Sequence, residues 1–201
     1  MAHSSRQFSR ISDRDHFNWL HAKKLTGFKA QTILDVGCGT GDLCRLAVEN
    51  GAHLAVGIDI KMPTNIQSEK LKFLNFNLDL PNWADNFKAN GFDKIFAFDI
   101  LEHLESPVVF LRECRKLLSK NGFLIITTPN VNSWERYLRP SSWSGVQDEQ
   151  HKILFNLYSL RFLLQKLEFK IISAEAPIRK LGLFSRFFDS LGGQQLLIVQ
   201  I

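Results

Sequence analysis

Three glycines at alternate positions, Gly37, Gly39 and Gly41, mark the part of this sequence best suited to hold a ligand. Glycine adopts positive φ readily and lets a ligand approach the backbone, so the spacing predicts a binding turn between a strand and a helix. A dinucleotide turn is not indicated, because its G-x-G-x-x-G pattern would need glycine where Asp42 or Cys44 stands. The carboxylate of Asp42 would also repel a pyrophosphate at the helix N-terminus, which favours a ligand without phosphate.

Acidic residues follow this turn at the ends of successive apolar runs. Asp59 lies about 20 residues beyond the glycines, where a carboxylate can accept hydrogen bonds from both hydroxyls of a ribose. Asp79 and Asp99 follow the third and fourth runs, and Asp35 lies near the end of the first. The carboxyl ends of parallel strands share one edge of a sheet, so we expect these four carboxylates to line one rim and attract a cation. Asp79 and Asp99 could instead be helix N-caps.

Short apolar runs alternate with helical patterns along the chain, which is typical of strand and crossover-helix units in a largely parallel sheet. The predicted strands are 32–36, 53–58, 71–76, 94–98, 123–127, 169–174 and 195–201. The predicted helices are one near the N-terminus capped by Ser12, one at 42–50, one from Pro107 to a stop at Asn121 and Gly122, and one capped by Ser159. The polar and aromatic residues 130–150 are predicted to form a long loop at the site end of the sheet.

Composition favours one globular domain over residues 1–201, with 1–30 as a helical extension and 130–152 and 176–194 as insertions beside the site. The chain has no membrane-length apolar run and no signal peptide, so the expected compartment is the cytoplasm. Its three cysteines lack C-x-x-C spacing, which indicates reduced thiols rather than disulfides or a zinc site. The net charge of +5 is not gathered into a basic and aromatic cluster, so no nucleic-acid partner is expected.

A ligand with a ribose, an ammonium and a sulfonium but no phosphate fits these groups, and S-adenosylmethionine is such a ligand. The sequence resembles the class I S-adenosylmethionine-dependent methyltransferase family, in particular its ubiquinone-type O-methyltransferases, over residues 30–175. The resemblance rests on "LDVGCGTG", "VGIDI", "NLDLP", "FDKIFAFDILEHLESP" and "GFLIITTPN", in that order. It implies an α/β fold with a Rossmann-like seven-stranded sheet, mostly parallel with an antiparallel last strand, and helices on both faces. It also implies S-adenosylhomocysteine as the product.

The same resemblance implies the residues of the cofactor site. These are Gly37, Cys38, Gly39 and Gly41 at the turn beside the methionyl part, with Asp35 supporting the turn, Asp59 at the ribose, Ile60, Asp79 and Leu80 at the adenine, and Asp99 and Ile100 near the sulfonium and the ammonium. The segment after Ile60 departs from the family, because it is shorter than the usual helix.

Methyl transfer is an in-line displacement in which the cofactor carries the reactivity and the protein supplies alignment. An oxygen nucleophile would gain from a base, and His103 in "LEHLE" is the best placed candidate, although it could equally only orient the helix beside it. His151 could face the acceptor or make a structural hydrogen bond. Trp134, Tyr137 and Trp143 could cover the pocket or pack the loop. No metal is predicted, because the Asp-Asn pair of a catechol-type site does not follow the fifth strand.

The sequence therefore predicts S-adenosylmethionine-dependent methyl transfer to a small-molecule acceptor, with oxygen as the favoured atom. One alternative is a catalytically silent, cofactor-binding regulatory subunit of the methionine biosynthesis W type, because "TPNVNSW" is faintly similar to those proteins. Another is an RNA methyltransferase, which the positive charge allows but no recognition motif supports. Residues 178–191 could lie on a membrane surface, cover a lipid-like acceptor or simply pack as a helix.

Overall fold

The computed structural model describes residues 27–61, 67–178 and 190–201 of the chain. These residues contain a seven-stranded sheet with the order β3-β2-β1-β4-β5-β7-β6. The strands are β1 (Thr32–Val36), β2 (Leu54–Asp59), β3 (Leu71–Asn75), β4 (Phe92–Phe98), β5 (Leu118–Pro129), β6 (Lys170–Glu175) and β7 (Gln194–Gln200). Strands β1 to β5 pair in parallel, whereas β7 is antiparallel to both β5 and β6. The predicted fold class is confirmed.

Helices cover both faces of this sheet. The α-helices are α1 (Asp42–Glu49), α2 (Pro107–Leu117), α3 (Trp134–Leu138), α4 (Ser144–Gln147) and α5 (Leu157–Lys166), and 3₁₀ turns lie at Trp83–Asn86, Leu101–His103 and Pro140–Ser142. Helix α1 packs on one face and α2 and α5 pack on the other. The neighbouring side chains of Ile33 and Leu34 in β1 are fully buried in opposite clusters, as expected for a parallel strand covered on both sides.

The boundary between α2 and β5 differs from the prediction. The helix was expected to stop at Asn121 and Gly122, but it ends at Leu117 and the strand begins at once. Leu118 has an extended backbone and pairs with Phe92 of β4, after which the pairing shifts register. The Asn-Gly pair therefore accommodates an irregularity within a strand, a role that turn residues can also fill.

The predicted loop at 130–150 and the predicted start of α5 are also corrected. Helices α3 and α4 and one 3₁₀ turn interrupt the loop. Helix α5 is capped by Asn156 and not by Ser159, which occupies the third helical position. The Asn156 side chain accepts from the Ser159 backbone N–H at 2.8 Å, and the Ser159 hydroxyl accepts from the Asn156 backbone N–H at 3.1 Å. This reciprocal pair is a capping box, which the prediction of a Ser159 cap did not include.

Replacing Asn156 by alanine is expected to lower the free energy of unfolding by about 1 kcal/mol, because the first turn of α5 loses its side-chain acceptor. Chemical denaturation of the full chain measures this change. Ser106→Ala is the matched control, since Ser106 occupies the N-cap position of α2 without a side-chain cap hydrogen bond. Equal losses in the two variants would contradict the role assigned to Asn156.

Three sequence-based expectations lie outside the described residues, wholly or in large part. They are the N-terminal helix capped by Ser12, the segment after Ile60 from 62 to 66, and most of the amphipathic stretch 178–191.

In the part of the chain that is described, every cysteine is a buried free thiol. No described helix has both the length and the apolar character needed to cross a bilayer.

Candidate active site

The glycine turn joins β1 to α1 at the carboxyl edge of the sheet. Its first two N–H groups, from Gly37 and Cys38, donate to the Ile58 carbonyl at 2.8 and 3.1 Å, which fastens the turn to β2. Gly39 has φ +51°, and a Cβ added there would meet no atom within 4 Å. Gly41 has φ +77°, but an added Cβ would overlap a buried phenyl ring, that of Phe73. The turn therefore leaves open space at Gly39, whereas Gly41 is required by packing.

Asp59, the last residue of β2, holds this turn in place. Its Oδ2 accepts from the Gly39 N–H at 2.9 Å, and its Oδ1 accepts from the Lys61 N–H at 3.0 Å. Each carboxylate oxygen has a second lone pair, so Asp59 can accept further hydrogen bonds from a ligand. The next residue, Ile60, is 62% exposed although it is apolar.

Asp35 and Cys38 lie beneath the turn rather than in the open. Asp35 is only 5% exposed and accepts from the Cys44 thiol, with 3.8 Å between Oδ2 and Sγ. It therefore does not belong to the exposed part of the predicted acidic rim. Burial, followed by the negative charge of Asp35, raises the pKa of both the Cys38 and the Cys44 thiols. Both thiols stay protonated and unreactive near neutral pH.

Asp79 and Leu80 lie in the turn that follows β3. Asp79 accepts from the Glu105 N–H at 2.7 Å, and the Lys152 ammonium lies 3.7 Å from its second oxygen. The carboxylate thus accepts from the backbone two residues before α2. Asp79 is not itself an N-cap, because Asn82 and Ser106 occupy the N-cap positions of the 3₁₀ turn Trp83–Asn86 and of α2. Leu80 is 57% exposed and, like Ile60, presents an apolar side chain to the surface.

Asp99 and Ile100 lie at the end of β4, next to the glycine turn. Asp99 has φ +48°, an unusual conformation for a residue other than glycine. Its Oδ1 accepts from the Thr127 hydroxyl at 3.2 Å and from the side-chain amide of Gln194. The Ile100 side chain lies against Gly37, where an added Cβ would approach its Cδ1 to 3.0 Å. Strand β4 and the glycine turn therefore meet through Ile100.

Beyond Asp99, the 3₁₀ turn Leu101–His103 brings a carboxyl and an imidazole to the same edge. Glu102 is fully buried and its Oε2 accepts from the Thr128 hydroxyl at 2.9 Å. Burial, followed by the negative charge of Asp99, raises the pKa of Glu102 to about 8. The His103 and His151 rings are 4.7 Å apart between centroids, and burial followed by the His151 charge lowers the pKa of His103. His103 is therefore neutral near pH 7.

The insertion at 130–152 brings His151 to this place. The Glu102 carbonyl accepts from the Lys152 and Ile153 N–H groups at 2.7 and 3.2 Å, which ties the end of the insertion to the 3₁₀ turn. Trp143 is buried and leaves no room for a Cβ at Gly145, so its ring packs the insertion. Of the other aromatic residues proposed for a lid, Tyr137 is exposed and Trp134 is half-buried.

Sequence reasoning missed Glu102, Thr128 and Gln194. Glu102 stands beside His103 in the quoted "LEHLE", but nothing local indicated that it would be buried. Thr128 and Gln194 come from β5 and β7, and their contacts with Glu102 and Asp99 join residues that are distant in the chain. A polar residue at the end of an otherwise apolar strand was the available signal.

The chain matches a family model described as a methyltransferase domain over residues 5–174. A ubiquinone biosynthesis O-methyltransferase of Rhodopseudomonas palustris is 30% identical over 121 residues, which cover 58% of this chain and 47% of that protein. A tRNA U34 carboxymethyltransferase of Alcanivorax borkumensis is 33% identical over 123 residues, 57% of this chain and 38% of that protein. This chain therefore spans less than half the length of either relative.

The fold is shared with solved structures. A S-adenosylmethionine-dependent methyltransferase from Archaeoglobus fulgidus is similar with a TM-score of 0.72 over 96% of this chain and 95% of that one. Sequence identity in that comparison is 18%.

Proposed function

Because the chain belongs to the S-adenosylmethionine-dependent methyltransferase family, we propose that it binds S-adenosylmethionine at the glycine turn and transfers its methyl group to an oxygen atom of a small molecule. The observation that carries this proposal is the pairing of Gly39 with Asp59. The turn is open where a side chain would stand, and a carboxylate with spare lone pairs lies beside it. A ribose with two hydroxyls fits that pair of features.

The surroundings of Asp59 support an adenine beside the ribose. Ile60 directly follows β2, and Leu80 lies in the turn after β3. Both expose apolar side chains, which a flat aromatic base would bury. Asp79 lies next to Leu80 and would accept from the adenine amino group with a remaining lone pair. The adenine pocket is thus assigned to Ile60, Asp79 and Leu80.

The methionyl part of the cofactor is assigned to the other side of the turn. There Ile100 packs on Gly37, and the Asp99 carboxylate is held by two donors from β5 and β7. A fixed carboxylate attracts both the ammonium and the positively charged sulfonium. Asp35 and Cys38 act from below by supporting the turn.

Methyl transfer then needs an acceptor oxygen in line with the S–CH₃ bond. The oxygen forms a bond to the methyl carbon while the C–S bond breaks, and the electron pair remains on sulfur in S-adenosylhomocysteine. His103 ends the 3₁₀ turn that follows Ile100, and its ring is neutral. We assign His103 to contact with the acceptor and to activation of its hydroxyl oxygen.

Isothermal titration calorimetry of the full chain with S-adenosylmethionine and with S-adenosylhomocysteine tests the cofactor part of the proposal. Saturable binding of one equivalent of each is expected. The acceptor part is tested by incubation with cofactor carrying a labelled methyl group and with separate pools of small metabolites and RNA. Label in a small molecule, released by treatment that cleaves methyl ethers or esters, is the expected result.

The alternatives make different predictions in the same assay. Label in RNA would favour a nucleic-acid substrate, as the matched tRNA U34 carboxymethyltransferase suggests. Tight cofactor binding without label in any pool would favour the regulatory subunit. Absence of cofactor binding would overturn the proposal altogether.

A further inference from the structure

Three side chains with metal-binding chemistry converge on the acceptor side of the proposed site. Glu102, His103 and His151 each offer one ligand atom, and these atoms all lie within 4.8 Å of one another. The His151 Nε2 is 4.0 Å from the Glu102 Oε1. We call these three residues the Glu-His-His cluster.

Both imidazoles of the cluster are oriented by backbone carbonyls. The His151 Nδ1 lies 3.0 Å from the Gly145 carbonyl oxygen, and the His103 Nδ1 lies 3.4 Å from that of Gln150. A carbonyl oxygen can only accept, so each of these contacts requires the proton on Nδ1, and the neutral form of each ring then carries its lone pair on Nε2. A hydrogen bond from the second ring nitrogen to a carbonyl is the usual support of a metal-binding histidine.

Glu102 supplies an independent reason to expect a ligand. Its side chain is 0% exposed, and its Oε2 is satisfied by the Thr128 hydroxyl. Its Oε1 is buried and has no hydrogen-bond partner among the described residues. A buried polar atom without a partner costs free energy and calls for an explanation, which a bound cation provides.

The charges around the cluster favour a cation. Glu102 lies close enough to the Asp99 and Asp148 carboxylates for both to act on it electrostatically. The ammonium of Lys152 does not offset this charge at the cluster, since it pairs with Glu105 at 2.8 Å and with Asp79 at 3.7 Å. A divalent ion would neutralise the negative charge that these carboxylates place around the cluster.

We propose that Glu102, His103 and His151 bind one divalent transition-metal ion. Two imidazole nitrogens and one carboxylate oxygen suit Mn²⁺, Co²⁺ or Zn²⁺ better than Mg²⁺ or Ca²⁺, which prefer sites made of oxygen alone. Metal bonds of about 2.0–2.2 Å require the ligand atoms to draw together by about 1 Å. This assignment replaces the expectation of no metal, which considered only the residues after the fifth strand.

A role of the ion in catalysis depends on the proposed function, whereas metal binding at the Glu-His-His cluster does not. Three protein ligands leave coordination positions open to an acceptor oxygen. The ion would lower the pKa of an acceptor hydroxyl group, so that its proton would pass to solvent and its oxygen would be the nucleophile for the methyl group. His103 would then activate the acceptor as a ligand of the ion.

Cobalt binding to the full chain tests the site directly. Protein treated with a chelator and then titrated with Co²⁺ is expected to show visible absorption bands that saturate at one equivalent. Glu102→Gln and His151→Ala should each weaken binding by about 10-fold or more. His53→Ala is the matched control, because His53 is exposed and lies outside the cluster, and its affinity should equal that of the wild type.

A second measurement needs only the wild-type protein in its folded state. Paramagnetic Co²⁺ or Mn²⁺ should broaden the NMR signals of the His103 and His151 rings at low metal concentration and leave those of His53 sharp. Absence of saturable binding, or equal broadening of all three rings, would overturn the proposal. Calorimetry with S-adenosylmethionine reports separately on the proposed function, so metal binding without cofactor binding would overturn the function and leave the site.

Discussion

Asp59→Ala is expected to weaken S-adenosylmethionine binding by about 1–3 kcal/mol, or about 5- to 150-fold in Kd. The expected loss comes from hydrogen bonds between a partly buried carboxylate and the two ribose hydroxyls. The same carboxylate also holds the Gly39 and Lys61 N–H groups, so part of the loss would come from a looser turn. Calorimetry gives the total.

An analogue separates these two contributions. Wild-type protein should bind S-adenosylhomocysteine more tightly than its 2′-deoxyribose analogue, whereas Asp59→Ala should bind the two with nearly equal affinity. Asp42→Ala is the control, because it removes a carboxylate from the same turn that bonds to Thr40 and Arg45 instead. If Asp59→Ala discriminated between the two ligands as the wild type does, Asp59 would not contact the ribose.

Gly41→Ala is expected to lower the free energy of unfolding by about 2–5 kcal/mol. A left-handed backbone costs an alanine about 1–2 kcal/mol, and displacing a packed neighbour costs about 1–3 kcal/mol more. The neighbour is the ring of Phe73, which is 1% exposed and lies within a cluster of buried side chains, so it has little room to move away. Chemical denaturation of the full chain provides the measurement.

Gly39→Ala separates backbone strain from the clash. Gly39 also has positive φ but faces open space, so its replacement should cost only about 1–2 kcal/mol of stability. Phe73→Leu, by removing the ring, should reduce the additional cost of Gly41→Ala to the same level. Equal costs at the two glycines in the wild-type background would show that Phe73 does not restrict Gly41.

Much of the fold could be predicted from short-range patterns. The central parallel strands β1, β2 and β4 are mostly apolar runs buried on both faces, and the first strand was predicted at the observed residues 32–36. Errors arose where one residue type serves two purposes. Asn121 and Gly122 are found in irregular strands as well as at helix ends, and Ser159 can occupy either the first or the third position of a capping box.

The acidic series shows the same limit within the site. Asp59 and Asp99 could be placed at strand ends by counting residues, because parallel strands bring their carboxyl ends to one edge. Counting could not distinguish the buried Asp35 from its partly exposed counterparts. Burial depends on how α1 and its Cys44 thiol close over β1, which is a packing relation between elements.

Local spacing alone was thus enough to indicate the sheet, the glycine turn and a phosphate-free, positively charged ligand, because these depend on residues within a strand-turn-helix unit. Packing of distant segments decided the rest. Phe73 came to lie on Gly41, Gln194 on Asp99, and His151 beside Glu102, across separations of 32, 95 and 49 residues. The first contact depends on the pairing of β3 with β2, and the other two depend on the positions of β7 and of residues 130–152 at the same edge of the sheet. No short-range pattern in the sequence encodes these arrangements.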